Sequence, residues 1–264
     1  MTTFNQLIQA LDVLYPPELA ESWDQVGLHF GHPNNKIEKI MTALDVRPST
    51  VDEAIDNGVD TLVVHHPPIF SSIDRFDYSN PQIEMYRQII KYDLNVFAMH
   101  TNADRAHGGL ADWLANQLRL EAIQSLEDDS VQPGLGRMGR LHKPMSRSEV
   151  IEYIKSVYQL PKLKIIEREP KGHYETVGFV GGSGSSFYPE AVAKEVDIFI
   201  TGDVTYHTAH DIYETDLMCV DVGHYIEHLF TEKMAEVIDD LREKNDWSVE
   251  VITSQVSTNP YQYE

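Results

Sequence analysis

The stretch DTLVVHHPPIF, residues 60–70, runs an apolar segment directly into two histidines and two prolines. A short unbroken apolar run bounded by turn residues reads as a strand covered on both faces. Such a strand ending on His65 and His66 leaves two readings: structurally satisfied histidines in a tight corner, or metal ligands at a strand end. Neighbouring residues on a regular strand point to opposite faces, so the pair cannot share one ion there. Past the strand end, each can reach a different ion of a pair.

The same habit recurs outward along the chain. FNQLIQALDVLY places Phe4, Leu7, Ile8, Leu11 and Leu14 at helical spacing. KIMTALDV reads as a buried strand, RPSTVDEAIDNG as a helix closed by Gly58, and PQIEMYRQIIKYD as a helix with proline early, where it is tolerated. LNVFAMHTN is strand-like and GGLADWLANQLRL helical. LEDDSVQPGLG, residues 126–136, is acidic and rich in Pro and Gly, and reads as a linker. Beyond it, strand-like GRMGRLHK, KLKIIERE, YETVGFVGG, VDIFITGD, DLMCVDVG and SVEVITS alternate with helical segments. The last of these helices is expected over HYIEHLFTEKMAEVIDDLREK. The expectation is an α/β protein of two facing lobes with mixed sheets, residues 1–125 and 126–264.

Composition narrows the function. The chain has 264 residues, with 21 Lys plus Arg against 42 Asp plus Glu, a formal net charge of -21. That field repels phosphate backbones and anionic membranes and attracts cations. No apolar run approaches the roughly 20 residues of a membrane-spanning helix, and the first residues lack a secretory pattern, so a cytoplasmic protein is expected. The single cysteine, Cys219, excludes an internal disulfide and a cysteine-rich zinc site. It lies in an apolar run and reads as a buried, inert thiol.

Ligand-type residues gather after four of the expected strands, where open α/β sheets place their sites. VVHHPP offers His65 and His66, and MHTNADRAHGG offers His100, Asp104 and His107. TGDVTYHTAH offers Asp203, His207 and His210, and VDVGHYIEH offers Asp221, His224, Glu227 and His228. Eight of the 12 histidines fall in these turns. Singly, each is a more ordinary structural or solvated histidine; together they point to metal. His224 and Glu227, three apart after Gly223, share one helical face. Imidazole and carboxylate without thiolate suit Zn, Mn, Fe or Co. Asp104 is placed to bridge two ions. GGSGSSF, residues 181–187, reads as a plain tight turn or as a backbone cradle for an anion. It lacks the Lys-Ser/Thr pair of a nucleotide-binding P-loop and the spacing of a nucleophile elbow.

Six stretches in order, ESWDQVGLHFG, VVHHPPIF, HTNADRAHGGLADWLA, VGFVGGSGSS, DIFITGDVTYHTAHD and DVGHYIEH, resemble the YbgI-like family, whose members are labelled GTP cyclohydrolase 1 type 2 homologs. The resemblance spans essentially the whole chain, in the short form without an inserted domain. It implies a homohexameric ring of two-lobed subunits, each with two divalent transition-metal ions in the cleft between lobes. Carried over by position, the ligands are His65, His66, Asp104, His224 and Glu227, with His100 and His207 as supporting or proton-transfer groups. Some short members space the last His and Glu by four residues rather than the three found here. The implied activity is metal-dependent hydrolysis of a small molecule, a nucleotide or pterin-like compound. The alternative is a non-catalytic metal-storage, chaperone or adaptor ring.

Overall fold

The computed structural model of the protein describes residues 1–128, 130 and 132–262. Asp129 and Val131, within the expected linker, and Tyr263 and Glu264, at the end of the expected second lobe, lie outside the described residues. Along the chain run α1 (Phe4–Leu14), β1 (Gly27–Phe30), β2 (Lys39–Ala43), α2 (Pro48–Asp56), β3 (Thr61–Val64), α3 (Pro81–Lys91), β4 (Asn95–Ala98) and α4 (Thr101–Arg105). Then come α5 (Leu110–Gln117), β5 (Glu121–Ser125), β6 (Arg137–Met145), α6 (Arg147–Val157), β7 (Lys164–Ile166) and β8 (Tyr174–Phe179). The last elements are α7 (Tyr188–Ala193), β9 (Ile198–Thr201), α8 (Tyr206–Tyr213), β10 (Met218–Asp221), α9 (Leu229–Lys244) and β11 (Glu250–Thr253). The result is a mixed α/β fold with two sheets.

The chain divides into two units, but not at a linear boundary. Met1–Ala106 and His228–Pro260 form the first; His107–Glu227, with the chain end from Tyr261, forms the second. The expected split into 1–125 and 126–264 is displaced because β11 pairs in parallel with β2, so the C-terminal helix and strand return to the first sheet. The stretch 126–136 is not a linker either. It joins β5 to β6, which pair antiparallel, so its Pro and Gly reverse the chain inside one unit.

In the first unit the strand order is β1-β4-β3-β2-β11, with β1 antiparallel to β4 and every other pairing parallel. All four residues of β3 and of β4 are buried, as the unbroken apolar runs require of strands covered on both faces. Helices α2 and α3 make the crossovers, and Val51, Ala54, Met85, Tyr86 and Ile89 pack with Met41, Leu62, Val64 and Val96 into one core. Each buried Val, Leu or Met there contributes about 1.5–3 kcal/mol. Helix α1 is held at its start by a capping box, Thr3 against Gln6. Helix α9 lies against β2 and β11, and the Thr42 hydroxyl donates to the Thr231 carbonyl at 2.7 Å.

In the second unit the order is β5-β6-β8-β9-β10-β7. The central strands β8, β9 and β10 are parallel, while β5, β6 and β7 add antiparallel edges. Strands β9 and β10 are buried throughout, around Phe199, Ile212, Leu217 and Cys219. Burial pushes the Cys219 thiol up to about 12, with the Asp221 carboxylate adding to the effect. In the native protein Cys219 is therefore expected to ignore a thiol reagent such as dithionitrobenzoate near neutral pH and to react once per chain after denaturation. Rapid labelling of the folded protein would show that β10 opens to solvent.

Candidate metal centre

In the first unit, β2, β3 and β4 end level with one another. Ala43 lies opposite Val64, and Val64 opposite Ala98. Beyond these ends the pairing continues as single backbone bonds: the His65 and His66 amides donate to the Ala43 and Leu44 carbonyls, and the Met99 amide donates to the Val64 carbonyl. His65, His66 and His100 are thereby brought together, with ring centroids 4.8 Å (65–66), 5.1 Å (65–100) and 5.4 Å (66–100) apart. One ligand nitrogen from each lies within 4.8 Å of the others. The adjacent histidines therefore converge on one cluster instead of diverging, because neither sits on the regular strand. Asp104, one turn into α4, places a carboxylate oxygen 3.7 Å from His65 Nε2.

Each of these rings is oriented from its far side. His65 Nδ1 bonds the Met99 carbonyl at 2.9 Å, and since a carbonyl only accepts, Nδ1 carries the proton. His66 Nδ1 lies 2.8 Å from Asp45, and His100 Nδ1 lies 2.9 Å from Asp24. With Nδ1 engaged, Nε2 is the nitrogen left to offer a lone pair, which is the arrangement by which outer groups orient metal-binding histidines. Burial by itself would raise the Asp24 carboxyl, but hydrogen bonds from His100 and from the Thr101 hydroxyl and amide outweigh it and hold it at about 2. Asp45 is likewise held below the usual range: burial opposes, and the His66 and Thr258 bonds prevail. Asp24 belongs to the segment before β1. In the same segment the Glu21 side chain pairs with Arg105, and its amide donates to the Thr101 hydroxyl. The ESWD and HTNADR stretches thus tie one loop to one short helix around His100. The tail after β11 adds a strap: Glu53 accepts from Ser254 and from the Gln255 amide, and Thr258 donates to Asp45.

The second unit builds its own constellation at the ends of β8, β9 and β10. The long helix expected from residue 224 does not begin there. His224–His228 is a 3-10 turn, and α9 starts at Leu229. With three residues per turn, residues i and i+3 eclipse, and His224 Nε2 lies 3.1 Å from a Glu227 oxygen. His224 Nδ1 lies 2.7 Å from Asp203. Gly223 makes the turn at φ +80°, its amide donating to Asp221 at 2.9 Å. The Gly-rich turn after β8 faces the chain's own carboxylate: a Cβ on Gly182, whose φ is +55°, would stand 2.5 Å from Glu227 Oε1.

His65, His66, His100 and Asp104 thus gather in one unit, and His224 and Glu227 in the other. His207 does not join them. It is exposed on α8 with its ring edge-on to Tyr206, and it belongs to no ligand cluster among the described residues. His107, His210 and His228 are exposed too. Sequence reading missed Asp24 and Asp45, the carboxylates that orient His100 and His66. Asp45 carried a signal, since LDV follows strand β2 as HH follows β3; Asp24 carried none beyond its motif. The imidazole and carboxylate donors, with no thiolate, fit a divalent transition metal.

Two substitutions test this framework. Gly182→Ala adds a Cβ against Glu227 at a left-handed backbone position and is expected to lower stability by about 1–3 kcal/mol, read by denaturant unfolding; an unchanged midpoint would show that the turn and Glu227 yield freely. Thr258→Val removes the hydroxyl that holds Asp45, and is expected to weaken zinc uptake by roughly tenfold without unfolding the chain. Zinc titration matching the parent protein would show that the tail is dispensable to the site.

Among known proteins, the Duf34/NIF3 (NGG1p interacting factor 3) family matches residues 2–260. A Streptococcus pneumoniae protein named GTP cyclohydrolase 1 type 2 homolog is 38% identical over 262 residues, 98% of each chain, so neither carries a large insertion relative to the other. Among solved structures, a Bacillus cereus protein related to NIF3 superposes with a TM-score of 0.94 over 100% of both chains at 21% identity. A hypothetical protein of Staphylococcus aureus gives 0.93 over 99% of both at 27%. With nearly its whole length matched, the chain belongs to the Duf34/NIF3 family.

Proposed function

We propose that the protein is a metal-dependent hydrolase of a small molecule. Its centre takes two divalent transition-metal ions, with His65, His66, Asp104, His224 and Glu227 as their ligands. The observation that carries this reading is the convergence of His65, His66 and His100, each with Nδ1 engaged and their ligand atoms within 4.8 Å. When bound, such ions act as Lewis acids, lowering the pKa of water and polarising a substrate oxygen.

The chain's own residues supply orientation and proton handling. His100, paired through Nδ1 with Asp24, accepts a proton at Nε2 and returns it to the leaving group, while the Asp24 charge stabilises the imidazolium. The name shared by relatives, GTP cyclohydrolase 1 type 2 homolog, supports a hydrolytic reaction on a purine or related ring. Assembly into a homohexameric ring and a cytoplasmic location belong to the same proposal. No helix among the described residues is long and apolar enough to cross a membrane.

Elemental analysis of untagged protein purified without added metal tests the centre. About two transition-metal ions per chain are expected, lost in His65→Ala and in His224→Ala. His100→Gln is expected to keep its metal and to lose turnover by about 10²–10⁴-fold on whichever substrate a cyclohydrolase and phosphoesterase panel returns. Protein that neither carries nor takes up Zn, Mn, Fe or Co would overturn the metal centre. Metal-loaded protein inert across the panel would favour a storage or carrier role.

A further inference from the structure

Two large aromatic side chains stand exposed beside the histidine cluster of the first unit. Trp23 is 58% exposed and Phe70 49%. Their ring centroids lie 5.9 and 5.8 Å from that of His100, at 73° and 84° to its plane. They arrive from separate stretches, and both backbones are anchored. Trp23 directly precedes Asp24, which is bonded to His100 and Thr101. Phe70 follows Pro67–Pro68, and the Pro68 carbonyl accepts from the Tyr86 hydroxyl and from Gln82 Nε2. Large apolar rings on anchored backbone, left in water next to imidazoles, are a surface for another flat ring.

Charge selects the kind of ring. Asp24, Asp45 and Asp104 surround the histidines, and the cation of α4, Arg105, is buried in its pair with Glu21. The chain as a whole carries -21. Without its ions that environment opposes a free polyphosphate, and bound divalent ions would offset this; an uncharged heterocycle is indifferent to both. We propose that Trp23 and Phe70 bind a planar, uncharged heteroaromatic ring of the purine or pterin type. These two side chains then hold the substrate by its ring and make no use of phosphate. This deepens the hydrolase reading and rests on it for the reaction, while the ring-binding step stands on the aromatic pair.

Calorimetry on the protein, zinc-loaded and metal-free, tests it, with guanosine as the ring probe and inorganic triphosphate, used on the metal-free protein, as the phosphate probe. Guanosine is expected to bind saturably, and triphosphate not to compete on the metal-free protein. Trp23→Leu and Phe70→Leu should each weaken guanosine about ten- to hundred-fold, the range for loss of one stacking partner, with zinc content unchanged. Trp23→Tyr should restore most of the affinity, which separates stacking from a folding defect. The proposal is overturned if guanosine fails to bind, if it binds both leucine variants like the parent, or if triphosphate displaces it from the metal-free protein. Zinc measured on the same samples keeps the two readings apart. Metal-loaded protein that ignores guanosine sinks the aromatic site and leaves the hydrolase standing. Protein that binds guanosine yet takes up no metal does the reverse.

Discussion

Three parallel strands that stop at one level impose the geometry on which the rest of the first unit depends. Because β2, β3 and β4 are buried on both faces, their register is set by packing, and a slip of one residue would send every side chain into the layer on the opposite face, where the space is shaped for another. That register puts Ala43, Val64 and Ala98 in a row, so the residues just beyond them meet: Asp45 after β2, His65 and His66 after β3, Met99 and His100 after β4. Each strand end then orients its neighbour's ring. Asp45 holds His66 and the Met99 carbonyl holds His65. Forces that stabilise the core thus also aim the histidines, with no separate device needed for the site.

Where the sheet does not supply a partner, a loop does. Asp24 sits in the segment leading to β1, and its side chain is closed to solvent. Burying a carboxylate opposes its charge, yet the three bonds from His100 and Thr101 bring it down to about 2. The charge is therefore present across the whole neutral range, and the His100 ring is oriented before any ligand arrives. The second unit repeats the logic with different parts: Asp203 orients His224 from a left-handed backbone position, φ +51°.

The fold class was legible because buried parallel strands leave a plain mark, an apolar run with no alternation, and β2, β3, β4, β9 and β10 all carry it. The strand-end histidines were legible for the same reason, since they interrupt that mark at its end. What escaped was non-local. The pairing of β11 with β2 joins residues more than 200 positions apart, and nothing in either stretch states its partner, so the unit boundaries could not be read linearly. The Pro- and Gly-rich run at 126–136 has the composition of a linker and of a hairpin alike; only the β5–β6 pairing decides between them. Asp24 and Asp45 escaped because an orienting carboxylate differs from a surface one only by what it touches. His207 shows the converse: its residue type suits a site, and helix α8 exposes it to solvent.

The 3-10 turn at His224–His228 shows how spacing and backbone form are tied. In an α-helix, 3.6 residues per turn leave i+3 about 60° behind the line of residue i and i+4 about 40° ahead of it. A 3-10 turn, at three residues per turn, sets i and i+3 in line. Two groups three apart that must reach one point are thus best served by the tighter turn, which is the form this chain adopts, with His224 Nε2 and Glu227 3.1 Å apart. A pair spaced by four would be better served by an α-helical turn. The tight turn in turn crowds its surroundings: Gly223 must accept φ +80°, and Gly182 must lack a Cβ to admit the Glu227 carboxylate. The glycines of DVGH and VGGSG therefore belong to the same geometric solution as the His224–Glu227 contact.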